Sequence, residues 1–302
     1  MSNTSLLGSY GAQDSSSLMF RNRIINGDMK VSQRYDNVAA HPITAGQIFY
    51  TIDRFFVFAT GANVTGQRIA GTGANPYVYR ITGAASNTQC LLIQRIEALN
   101  SEDLVNKTVT LQFEASAAVI TSLDYDIRVP SARDNFGTTA SVTSGTVTVS
   151  ATPTVFTVTC TLPANAANGL QINLGKTSGL VASQTFSISG VQLEAGPTAT
   201  PFERRPIGVE QSLCERYFER GGYSWIGNFT AAALVRVTIL FRQLKRAQPV
   251  CTATKGYSDG TLAGVNPSTA FPDVYGVRAQ FSATGASNQS EMAFDWTASA
   301  EL

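Results

Sequence analysis

From Arg21 to about Glu194, apolar and polar residues alternate with the period of two that marks half-buried β-strands. Val109, Leu111 and Phe113 take every second position, as do Leu123, Tyr125, Ile127 and Val129, and shorter pairs follow at Val147–Val149 and Ile172–Leu174. In VFTVTCTL, Phe156, Val158, Cys160 and Leu162 share one face and Thr157, Thr159 and Thr161 the other. The alternation changes phase between Phe186–Ile188 and Val191–Leu193, and Gly190 between them predicts a β-bulge. Leu91 to Leu104 is the stretch that hints at helix. Many short strands joined by Gly, Asn and Ser turns predict an all-β fold, a jelly-roll-like sandwich over residues 21–195.

Residues 196–220 break this rhythm. Gly196, Pro197 and Pro201 exclude regular structure, because each Pro lacks a donor and biases its predecessor away from the helical region. Pro206 suits a helix start. Val209, Leu213 and Tyr217 then stand four apart with Cys214 and Phe218 beside them, until Gly221 and Gly222 end the pattern. So wide a stripe on so short a helix predicts that copies of it pack together through these residues. Residues 221–302 read as a second β-sandwich. In it, the near-continuous apolar run Leu234 to Phe241 predicts burial on both faces, in the sheet or against another subunit. Met292, Phe294, Trp296 and Ala298 share one face, which makes Trp296 a core residue. The Ser-rich residues 1–20 are too short to own a core and read as an attachment segment.

The connector, QLEAGPTATPFERRPIGVEQSLCERYFER, resembles one found in tail fibre and receptor-binding proteins of tailed bacteriophages, where it links a jelly-roll domain to a C-terminal domain. Asn22 to Arg34 (NRIINGDMKVSQR) with Tyr50 to Phe55 (YTIDRF) is similar to the opening strands of that jelly roll, and FDWTASAEL to the family's last strand. FRQLKRAQPVCTAT resembles a further segment, although the Gln243 region is less apolar than the family pattern. The resemblance implies a non-enzymatic virion protein, a homotrimer joined to a tail or baseplate protein through residues 1–20. Its β domains would face a host cell-surface glycan. A purely architectural subunit and a polysaccharide-degrading tail enzyme are the alternatives.

Composition narrows the partners. Charged residues are 14% of the 302, against about 25% in average proteins, so Ser, Thr, Asn, Gln and Gly supply the polar surface. A net charge of +1 offers no basic field for nucleic acid or anionic membrane. No apolar run approaches the roughly 18 residues of a membrane span, and the first residues lack the pattern of a signal peptide, so the expectation is a chain made in the host cytoplasm. Cys90, Cys160, Cys214 and Cys251 are scattered without C-x-x-C, and the one histidine, His41, stands far from them in sequence, so no metal or cofactor is expected.

Catalytic motifs fail by one residue. Before Gly175-Lys176-Thr177 the Gly required of a phosphate loop is displaced to Gly169, and after Ser224 the second Gly of a nucleophile elbow arrives late, at Gly227. Asp124 and Asp126 share a strand face that could flank a sugar, but a solvated face with Tyr125, Ile127 and Val129 inward is the simpler reading. Glu194 and Glu203 are expected to pair with Arg204 or Arg205. For sugar stacking the candidates are aromatics near turns: Tyr223, Trp225, Tyr257 and Tyr275 in the second module, with Tyr77 and Tyr79 in the first.

Overall fold

A computed structural model describes residues 20–35, 39–230, 234–258, 262–268, 272–283 and 286–302, with backbone alone at 229, 234–235, 255–258, 262–268, 281–283 and 287–290. The expected attachment segment therefore lies outside the described residues apart from Phe20. The chain divides into two compact units, 1–205 and 206–302.

The first unit contains β1 (His41–Ile43), β2 (Phe49–Tyr50), β3 (Phe55–Thr60), β4 (Val64–Ala70), β5 (Tyr77–Thr82), β6 (Gln89–Ile96), β7 (Thr108–Ser116), β8 (Ser122–Ala132), β9 (Asn135–Thr148), β10 (Thr154–Thr161), β11 (Leu170–Lys176) and β12 (Thr185–Ala195). They form two six-stranded sheets, ordered β1-β4-β5-β12-β7-β10 and β2-β3-β6-β11-β8-β9. Every pairing is antiparallel. Alternation puts Val109, Leu111 and Phe113 of the first sheet against Leu92, Ile127, Ile172 and Leu174 of the second in one buried core. Tyr125 and Val129 face the same core, as the strand pattern predicts.

The predicted bulge is present. The β12–β7 register shifts between Ser189 and Gln192, and Gly190 sits there at φ +57°. The shift returns Val191 and Leu193 to the core after Phe186 and Ile188, and turns Gln192 and Glu194 to the outer face. There the Pro-containing strap covers them. Thr200 donates to Glu194 through its N (2.7 Å) and Oγ1 (2.6 Å), Glu203 N donates to Gln192 Oε1 (2.8 Å), and Thr110 Oγ1 donates to Gly196 O (2.7 Å). Glu203 lies 3.6 Å from Arg205, as expected, but the partner of Glu194 is Arg21 at 3.5 Å, because Arg21 lies beside the strap and also donates to Pro201 O. Arg204 reaches Asp28 instead, at 3.7 Å.

The helix expected near Leu91 to Leu104 is replaced by strand β6 and short 3-10 turns at Ala98–Asn100 and Glu102–Leu104. Residues of β6 are hydrogen-bonded to β3 on one side and β11 on the other, and that pairing overrides a weak local preference.

The second unit begins with α1 (Ile207–Glu215), then β13 (Phe218–Phe229), β14 (Leu234–Leu240), β15 (Val250–Ser258), β16 (Leu262–Ser268), β17 (Gly276–Ala283) and β18 (Ser287–Ser299). Sheets β13-β18-β15 and β14-β17-β16 share a core that includes Ile239, Val277, Met292, Phe294 and Trp296. The helix ends before the two glycines, because Phe218 already pairs with Ser299 and Tyr217 O accepts from Ala300 N at 2.7 Å. Gly221 lies within β13 because the Trp296 ring occupies the space a Cβ would need. The apolar stripe is divided: Cys214, Tyr217 and Phe218 are buried in a single chain, and Val209 and Leu213 are half-buried. In a single chain the described side chains of the β14 run are buried on one face only, since Ile239 is inward and Leu240 is 74% exposed.

Candidate functional site

The second sheet of the first unit carries an open cleft of about 870 Å³ on its outer face. The size suits a small organic ligand or short oligosaccharide. Strand register lays its floor out in rows. Phe58, Leu91, Gly175, Asp124 and Thr146 stand side by side across β3, β6, β11, β8 and β9. The next row is Phe56, Ile93, Asn173, Asp126 and Ser144. Arg95, Gln171 and Arg128 begin a third. The first two rows therefore run from apolar to polar, and the change falls between β6 and β11.

The polar half is held by its own hydrogen bonds. Asp124 accepts from Thr177 N (2.8 Å) and Oγ1 (2.6 Å) and from Thr146 Oγ1 (3.1 Å). Burial alone would raise its carboxyl, but these bonds and nearby Lys176 outweigh burial and hold it below the usual carboxylate range. Asp126 accepts from Arg128 Nη1 (2.5 Å) and Ser141 Oγ (2.6 Å), while Gln171 Nε2 donates to Asn173 Oδ1 (2.9 Å). A carboxylate has about four acceptor positions, so both aspartates keep capacity for ligand hydroxyls. Arg95 lies 4.9 Å from the Phe56 ring and 5.0 Å from Phe136, with Nε donating to Gln171 Oε1 at 3.0 Å. Burial pushes its guanidinium down from the ordinary value.

None of the five aromatic candidates whose side chains are described lines this cleft. Tyr79 is corrected outright: it is 1% exposed, belongs to the core, and its Oη is 3.0 Å from His41 Nε2, so its ring cannot stack on a ligand. Tyr77, at the start of β5, is 38% exposed with the Arg68 guanidinium 4.6 Å over its ring. Tyr223 and Trp225 are half-buried against the core of the second unit, Tyr223 at 5.5 Å from Phe294. Tyr275 is 67% exposed, beside Leu240, Asp273 and Arg278 at a hollow of about 250 Å³. The side chain of Tyr257 lies outside the described residues.

The face bearing Asp124 and Asp126 is not merely a solvated one, since it forms half of the cleft. A signal for the other half stands in Phe55 to Phe58, FFVF. Phe55 and Val57 enter the core, so Phe56 and Phe58 must be apolar on the outer face, where they and Leu91 and Ile93 form a second cluster. Among the described residues no group of three or more His, Cys, Asp or Glu is arranged to hold a metal ion.

No known protein family and no curated protein matches the sequence. Among solved structures, a CBM4 structure matches at 21% identity and TM-score 0.38, over 57% of this chain and 98% of that one. The enzymatically active domain of tailspike protein 4 of bacteriophage CBA120 matches at 16% identity and TM-score 0.40, over 58% of this chain but 22% of that chain. The CBM22-1 xylan-binding domain of Paenibacillus barcinonensis Xyn10C matches at 17% identity and TM-score 0.32, over 52% and 99%. The β-sandwich assignment stands on the strand pairing above, not on these likenesses.

Proposed function

We propose that this chain is a tail fibre or receptor-binding protein of a tailed-phage virion, and that its first unit binds a host-surface glycan in the cleft on the second sheet. The observation that carries the glycan reading is the row arrangement: apolar side chains beside a prearranged set of Asp, Asn, Gln, Thr and Ser groups in one open cleft. Sugars offer C–H surface and hydroxyls together, and this floor matches both. The phage reading rests on the connector and opening-strand resemblance. On this reading residues 1–20 join the chain to a tail or baseplate protein, and three copies associate.

The role is binding, not cleavage. A glycosidase needs one carboxylic acid kept protonated near neutral pH, whereas Asp124 is held on the ionised side. A purely architectural subunit has no use for an open cleft whose polar side chains already hold one another in place.

The test is a glycan array and host-adsorption assay on the purified chain. Asp126→Ala and Asn173→Ala are each expected to weaken glycan binding by roughly 1–3 kcal/mol, the usual effect of removing a hydrogen-bonding group from a site. Binding that survives both changes, or adsorption without any glycan bound, overturns the assignment.

A further inference from the structure

The cleft's division points to a narrower ligand class, an inference that rests on the glycan reading above. Along two neighbouring rows the same boundary recurs: Phe58–Leu91 and Phe56–Ile93 on one side, Asp124–Thr146 and Asn173–Asp126–Ser144 on the other. Phe56, Leu91 and Ile93 form a buried base at 1%, 7% and 4% exposure, while Ile48 at 48% and half-buried Phe58 offer surface above it. Gly175 stands at the boundary, where the Cys90 carbonyl oxygen, 2.3 Å from the place a Cβ would take, leaves no room for a side chain.

Beside its C–H faces, an ordinary hexose carries hydroxyls around its rim and on its exocyclic C6. One placed over the apolar half loses its waters and finds no partner there, which disfavours it. A methyl group in the same place gains contact and leaves nothing unpaired. We infer that the cleft selects a methyl-bearing sugar, acetylated or 6-deoxy, with its methyl on Phe58, Leu91 and Ile48 and its hydroxyls on Asn173, Asp124, Asp126 and Thr146.

The experiment titrates the full chain, by calorimetry or NMR, with two matched pairs. Chitotriose and cellotriose differ in an acetamido group against a hydroxyl; L-fucose and L-galactose differ in a methyl against a hydroxymethyl. The expected result is that the methyl-bearing member of at least one pair binds about fourfold or more tighter, the factor for burying one methyl-sized group. The pair that responds tells acyl from deoxy recognition. Phe58→Ser should remove that preference, while Thr146→Ala should weaken both members of the pair alike. A preference below twofold in both pairs, with binding present, overturns this inference and leaves the glycan reading standing. Absence of binding to all four sugars and to a glycan array overturns both.

Discussion

His41 lies in β1 with its ring stacked on Tyr35 at 3.8 Å and bonded to Tyr79, and burial pushes its pKa down to about 4. An unfolded chain would titrate this group near 6.5. Between those values the unfolded state takes up a proton that the folded state refuses. Stability from this residue is therefore complete above pH 6.5 and falls as the pH drops towards 4, by about 1.4 kcal/mol per pH unit. Melting of the wild type should decline more between pH 7 and 5 than that of His41→Gln; equal declines would show that the histidine is not the source. Cys90 and Cys251 are likewise pushed up by burial, to about 12 and about 11, so at neutral pH both stay as thiols. Gly175 is constrained by space as well as by its φ of +153°. Gly175→Ala should cost about 1–3 kcal/mol of first-unit stability, seen as a melting point lower by several degrees.

Among the elements, β13 and the loop after β14 are tied by a buried ion pair. Lys245 Nζ is 2.5 Å from Glu219 Oε2, both side chains have no exposed surface, and the Phe241 ring lies 4.8 Å from the ammonium. Lys245→Met would leave Glu219 buried with its nearest cation gone, at a cost of about 3–5 kcal/mol; chemical denaturation of the chain reads this directly, and an unchanged midpoint would refute it. How much of such detail is legible in the sequence depends on how far apart the partners stand. The bulge at Gly190 is legible because both flanking strands keep strict alternation, so the phase change has one local explanation. The shared face of Asp124 and Asp126 is legible for the same reason. What β8 cannot disclose is that Asp126 meets Asn173 and that Asn173 meets Ile93, since register comes from long-range pairing. Tyr223 and Trp225 mislead in the opposite direction: their glycines read as turns, yet Gly221 and Gly222 both sit in a strand paired with β18.

For the whole molecule, a trimer would have to be built without Cys214, Tyr217 and Phe218, which are already buried in a single chain; Val209 and Leu213 remain, with Ile207 at 59% exposure next to them. Light scattering should return about three times 32.1 kDa, and Leu213→Asp should lower that mass, whereas a monomer at micromolar concentration would exclude the trimer. The clasp that closes the first unit bears on a different property. Phe20 N and Asn22 N both donate to the Glu203 carboxylate, at 2.7 and 2.8 Å, and the Arg205 guanidinium donates to Asn22 O and Ile24 O. The described chain thus enters and leaves this unit at one spot. Tension applied along the polypeptide crosses that short clasp and bypasses the strands of both sheets, so the sandwich hangs from a taut line as a pendant. Its cleft keeps its shape under load until the clasp gives way.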